Sequence, residues 1–130
     1  MSEFANALNV TTSGLKAQAT RLRHLAENIS NADTPGYRRK LVPFEKQFEA
    51  GSDMSLVKTG RVQLDRSTLE RVFDPSHPMA DGEGYFDGSN VDLMIELSDA
   101  REAQRSYEAN LKVFEQTRKM SSSLMDLLRK

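Results

Sequence analysis

Two histidines, His24 and His77, are the first places to look for chemistry in this chain. An imidazole can ligate a metal or move a proton near neutral pH. Neither has a second ligand at helical spacing, and no His-x-x-x-His or Glu-x-x-His occurs, so a metal site has no pattern behind it. His24 follows Arg23 inside a helical stretch and reads as a solvated or rim residue. His77 sits between Ser76 and Pro78 in a turn. Asp81, Glu83 and Asp87 make an acidic loop, but a calcium loop counted from Asp81 would end on Asp92 rather than on glutamate. Gly82-Glu83-Gly84 lacks the Gly-Lys-Ser/Thr that completes a phosphate loop. No serine or threonine stands in a nucleophile elbow, and no nucleophile is set beside a base and an orienting acid. The expectation is a protein without catalysis, cofactor, metal or small-molecule substrate.

A different chemistry is written between residues 26 and 37, Ala-Glu-Asn-Ile-Ser-Asn-Ala-Asp-Thr-Pro-Gly-Tyr. Asn28, Asn31 and Asp33 carry side chains that compete with a helix for backbone hydrogen bonds. Thr34 precedes a proline, which pushes it out of the helical region. Pro35 removes a donor and Gly36 admits positive φ. With Tyr37, these residues predict a shaped elbow at the end of a helix. The adjacent Arg38-Arg39-Lys40, with Lys16, Arg21 and Arg23, could meet anionic lipid. The segment before them is rich in alanine and lacks a bulky aromatic face, which suits close helix packing better than bilayer insertion.

The elements that would position the elbow follow from the breakers. Only Gly14 interrupts the stretch before Pro35, and neither glycine nor proline occurs after Gly88. Leu8, Leu15, Leu22 and Ile29 recur every seven residues, widened by Leu25, and predict a helix from Ser2 to Ser30, bent at residues 10–14 if anywhere. Leu93, Leu97, Ala100, Tyr107, Leu111, Phe114, Leu124 and Leu128 lie on stripes of a second helix from Val91 to Leu128. Ser89 to Asp92 supply its cap, with Asp92 as the capping-box carboxylate. That second helix would be about 57 Å long, against a diameter of roughly 36 Å for a compact chain of this size. The two helices are expected to pair as an αα-hairpin, Leu8, Leu15, Leu22 and Ile29 meeting Leu97, Ala100, Tyr107, Leu111 and Phe114. A closed monomeric two-helix core is the plainer alternative. The apolar arc near the C-terminus is too wide for one partner, so other molecules should cover it.

The division is into residues 1–40, 41–89 and 90–130. The middle part carries turn signals and predicts a small irregular β insertion, with a hairpin of 54–58 and 61–65 about Thr59-Gly60 and a third strand at 69–73. The charges of the three parts are +3, -4 and zero, within a total of -1. This balance argues against nucleic-acid binding, which needs a basic field. Hydrophobic residues make up 38% of the 130, with no tryptophan, which is lean for a chain that buries its own surface. No cysteine is present, so no disulfide frame exists. No run of about 18 apolar residues spans a membrane, and the N-terminus lacks the basic start and apolar run of a cleavable secretion signal.

Ser13 to Leu22 and Ala26 to Tyr37 together resemble the N-terminal motif of the bacterial flagellar basal-body rod family. Val72 to Tyr85, Asn90-Val-Asp92 and Arg105 to Val113 are similar to its C-type proximal members, while the short Thr34-Pro35-Gly36 form is shared with the B-type. The resemblance implies a mainly α fold whose terminal helices pair as an elongated coiled-coil core lining a hollow axial tube, the middle facing outward. It implies a structural rod subunit in the basal body, crossing the periplasm and transmitting torque. Implied partners are further copies of itself, the other rod proteins, the membrane-ring adapter protein, and the type III export apparatus that delivers subunits without a cleavable signal. A small helical adaptor or chaperone that masks a partner's helix is the rival reading.

Overall fold

In a computed structural model, residues 2–129 of the chain are described. Helix α1 spans Ser2–Ser30 and helix α2 spans Leu93–Leu128, 29 and 36 residues in a chain of 130. Between them lie six short strands: β1 (Lys40–Leu41), β2 (Phe44–Phe48), β3 (Ser55–Thr59), β4 (Gln63–Leu64), β5 (Arg71–Phe73) and β6 (Tyr85–Asp87). Helix α1 runs unbroken through its weak stretch, where the Thr11 and Ser13 hydroxyls donate back to the Ala7 and Val10 carbonyls, each at 2.7 Å. At the start of α2 the expectation shifts by two residues. Asp92 is itself the N-cap, accepting from Met94 N at 3.0 Å, rather than a carboxylate inside the first turn.

The strands pair antiparallel in three two-stranded sheets, β1 with β4, β2 with β3, and β5 with β6. The expected hairpin about Thr59-Gly60 does not form. β3 pairs instead with β2, Phe44 facing Thr59 and Phe48 facing Ser55, and β4 pairs with β1. A tight two-residue hairpin turn needs positive φ at its centre, and Gly60 does not have it; Gly36, Gly51 and Gly84 do. Gly60 instead joins the first two sheets end to end, its N–H donating to the Pro43 carbonyl at 2.8 Å. A Cβ there would stand 2.5 Å from the Glu45 carboxylate and 3.0 Å from Pro43. The result is one ribbon from residue 40 to 64, with its tip at Gly51.

The helices pack antiparallel, Asn28 reaching Glu96 and Gly14 lying against Asn110. Leu25 apart, the residues buried on the two helices are not those expected from the leucine spacing. Ala17, Leu25 and Asn28 are the buried positions of α1, and Glu96 and Ala103 those of α2. Half-buried Ser106, Asn110, Thr117 and Ser121 continue the same arc of α2. Leu93 and Leu111 lie five turns apart and point one way, while Ala103 points about 80° from them. A Cβ on Gly14 would sit 3.1 Å from the Asn110 amide. Small side chains on this arc let the backbones approach, and Leu93, Leu97 and Leu111, too large for that seam, are turned off it, while Leu124 and Leu128 continue the arc itself where α2 runs on past the start of α1. Leu93 and Leu97 are each 45% exposed, Leu111 37%, Leu124 41% and Leu128 72%.

Candidate functional site

The elbow is built from the last turn of α1 outward. Thr34, Pro35, Gly36 and Tyr37 close a turn in which Tyr37 N donates to Thr34 O at 3.2 Å. Proline at the second position and positive φ (75°) at Gly36 in the third are what a type II turn demands. Before it, Asn31 holds the frayed helix end: its amide donates to Glu27 O at 2.8 Å and its Oδ1 accepts from the Thr34 hydroxyl at 3.0 Å. Gly36 N–H is shared between the Asp87 and Gly88 carbonyls, 3.1 Å each, so the turn is tied to the end of β6. Asp33 is exposed and makes no hydrogen bond among the described residues.

Asn28, fully buried, sits under this turn and uses every hydrogen-bonding position it has. Its Oδ1 accepts from Tyr37 Oη at 2.8 Å and Lys40 N at 2.9 Å. Its Nδ2 donates to Lys40 O at 3.0 Å and Glu96 Oε2 at 3.2 Å. Glu96, equally buried, receives Arg39 Nε on its other oxygen, and Arg39 also donates to Asp99 at 3.0 Å. A buried carboxylate is tolerated only when paired and hydrogen-bonded, and both conditions are met here. Burial pushes the Tyr37 phenol above its ordinary value. The Lys40 ammonium, 2.7 Å from Glu27, holds that carboxyl below its ordinary value and is itself raised by it.

A second ring of contacts binds the middle of the chain to the same place. Asn90 accepts from Arg39 N at 2.7 Å and donates to Asp65 O at 2.9 Å. Arg38 donates to the Asp65 and Ser67 carbonyls at 3.2 and 3.0 Å. The Ser89 hydroxyl donates to Ala32 O. Arg38, Arg39 and Lys40 thus each have a partner inside the chain, and Arg21 pairs with Asp99 and Glu102. The adjoining hollow of about 280 Å³ is lined by Arg21, His24, Arg39 and Lys40 together with Asp99, which pairs with both Arg21 and Arg39.

The remaining chemical candidates are also placed. Asp81 accepts from Glu83 N at 2.9 Å and Tyr85 N at 3.0 Å and pairs with Arg71 at 2.8 Å, and these donors hold its carboxyl below the usual range. His77 stacks on Phe86 with ring centres 3.9 Å apart. Among the described residues no group of three His, Asp or Glu is placed to hold a metal ion, and no helix is long and apolar enough to cross a membrane.

Of the helical stripe residues, Leu25 is buried, while Leu8, Leu15, Leu22, Ile29, Ala100, Tyr107 and Phe114 are half-buried. Glu96, Arg39, Ser89 and Asn90 went unnoticed as parts of the elbow. The available signal was a carboxylate at position 96, on the small-residue arc of α2 seven residues before Ala103.

The comparisons with known proteins fall on these same segments. A family described as "Flagella basal body rod protein" matches residues 8–38, the body of α1 and the elbow. A second, "Flagellar basal body rod FlgEFG protein C-terminal", matches residues 83–127, β6 and α2. The chain belongs to the flagellar basal-body rod protein family. Its likeness within that family is to FlgC. It is 43% identical to the flagellar basal-body rod protein FlgC of Agrobacterium fabrum, covering 99% of this chain and 98% of that one. The FlgC proteins of Salmonella typhimurium and Bacillus subtilis are 32% and 31% identical over 94% of this chain and 96% of theirs.

Proposed function

We propose that this chain, a structural subunit of the flagellar basal-body rod, assembles through the outward edge of α2. Neighbouring rod subunits cover Leu93, Leu97 and Leu111 on that edge, and Leu124 and Leu128 where α2 extends past α1. The observation that carries the reading is their exposure, 37% to 72% on five leucines of one helix. At about 25 cal/mol per Å², apolar surface of this extent is strongly favoured to leave water. The α1–α2 pair forms the inner, coiled-coil-like layer around the axial channel, and the ribbon of residues 40–64 faces outward toward neighbours. Torque then passes through packed contacts and needs no catalytic group. Family membership supports further copies, the other rod proteins, the membrane-ring adapter protein and the flagellar export apparatus as partners, and a position where the rod crosses the periplasm.

Leu111→Asp tests this. The substitution places a charge on the exposed edge and leaves the α1–α2 seam untouched. The expected outcome is subunits that are exported but build no rod, with no hook and no motility. Normal rods from this variant would remove the proposed edge from the interface.

A further inference from the structure

The elbow draws its order from a helix more than fifty residues away in sequence. Asn28 and Arg39 lie on either side of the turn, and both end on Glu96 in the first turns of α2. Arg39 reaches on to Asp99, and its backbone N–H is held by Asn90 just before α2. Arg38 and Asn90 then fix the carbonyls of residues 65 and 67, where the outer ribbon returns. Within the elbow, Asn28 has Tyr37 and Lys40 for partners, but its second donor and the Arg39 guanidinium have carboxylates only where α2 lies alongside. An unpartnered polar group in a buried place is strongly disfavoured.

We propose that the Asn28–Arg39–Glu96 cluster is a latch, which sets the elbow and the base of the ribbon only when α1 and α2 are paired. A chain whose helices have parted has a loose elbow; pairing closes the latch and fixes the elbow and the base of the ribbon, while β3 is held separately along α1 by the Val57 N–H to Ser13 Oγ bond of 3.1 Å. This is a property of the single chain and stands apart from the assembly reading.

The latch encloses Arg38, Arg39 and Lys40, three consecutive sites for trypsin. The test uses the full-length protein at a concentration where far-ultraviolet circular dichroism shows the helices formed. Glu96→Gln keeps the shape of the side chain and removes its charge; Arg39→Gln removes the other half. Each should speed cleavage at 38–40 at least tenfold, with helix content and cleavage at Arg23 and Arg118 unchanged. The double variant should be cut no faster than the faster single one, since either change opens the same latch. Cleavage of Glu96→Gln at the parent's rate would overturn the proposal. So would independent, multiplying effects of the two changes. Loss of helix in both single variants would overturn it as well, because the cluster would then hold the helix pair together rather than position the elbow.

Discussion

The elbow and the outward edge of α2 differ in nearly every physical respect. At the elbow, Asn28 and Glu96 are fully buried and each polar atom of their side chains is matched. Along the edge, Leu93, Leu97 and Leu111 keep 37% to 45% of their surface in solvent and make no directional side-chain contact. Hydrogen bonds are exacting about distance and angle, whereas apolar contact tolerates a range of geometries. The chain therefore keeps its directional chemistry for its own shape and leaves surface that many packings can cover on the side where neighbours approach.

The contrast can be broken from the edge first. Leu111→Asp should abolish assembly, yet chemical denaturation of the unassembled chain should shift by only about 1 kcal/mol, from lost helix propensity and partial burial. A large loss of chain stability would place Leu111 in the chain's own core. Asn28→Ala is the opposite case. It strands Lys40 N and O, Tyr37 Oη and one Glu96 oxygen in a buried site, and should cost about 2–4 kcal/mol in the same measurement. Gly36→Ala comes next, at about 1–2 kcal/mol. Nothing lies within 4 Å of the added Cβ, so the whole cost would come from φ of 75°.

The smallest effect is electrostatic. Lys40, by its hydrogen bond, holds Glu27 below its unfolded value, so that carboxylate's contribution is complete above the unfolded value and lost as pH falls through the folded one, below about pH 4. Lys40 is raised above its unfolded value by the same bond. Its contribution is complete below that value and lost as pH rises through the folded one, above about pH 10.5. Nuclear magnetic resonance titration should show Glu27 returning toward the ordinary glutamate range in Lys40→Met.

The two regions were also unequally legible. The helices followed from seven-residue spacing and from the lack of breakers, which are local signals. Thr34-Pro35-Gly36 gave the turn, because the type II geometry needs just those backbone preferences. Asn28 could be marked as part of the elbow, but its partner Glu96 lies 68 residues away and no local pattern joins them. The leucine stripe misdirected the packing within the chain: hydrophobicity selects the greasiest arc, whereas Gly14, Ala17, Ala103 and Asn110 won the seam by being small. Strand pairing in the middle depended on the φ of Gly60, which a Thr-Gly pair does not announce. Residues 38–40 read as a charged patch because the partners of Arg38, the carbonyls of residues 65 and 67, and of Arg39, the Glu96 and Asp99 carboxylates, come from distant parts of the chain.

The ribbon of residues 40–64 begins and ends at one place, with Lys40 facing Leu64. Its far end, around Gly51, is exposed on all sides. Each matched pair of residues inserted at that tip would lengthen the arm by about 3.4 Å while its base stayed where it is. A subunit of this build could thus be given a longer or shorter reach without re-engineering its shaft.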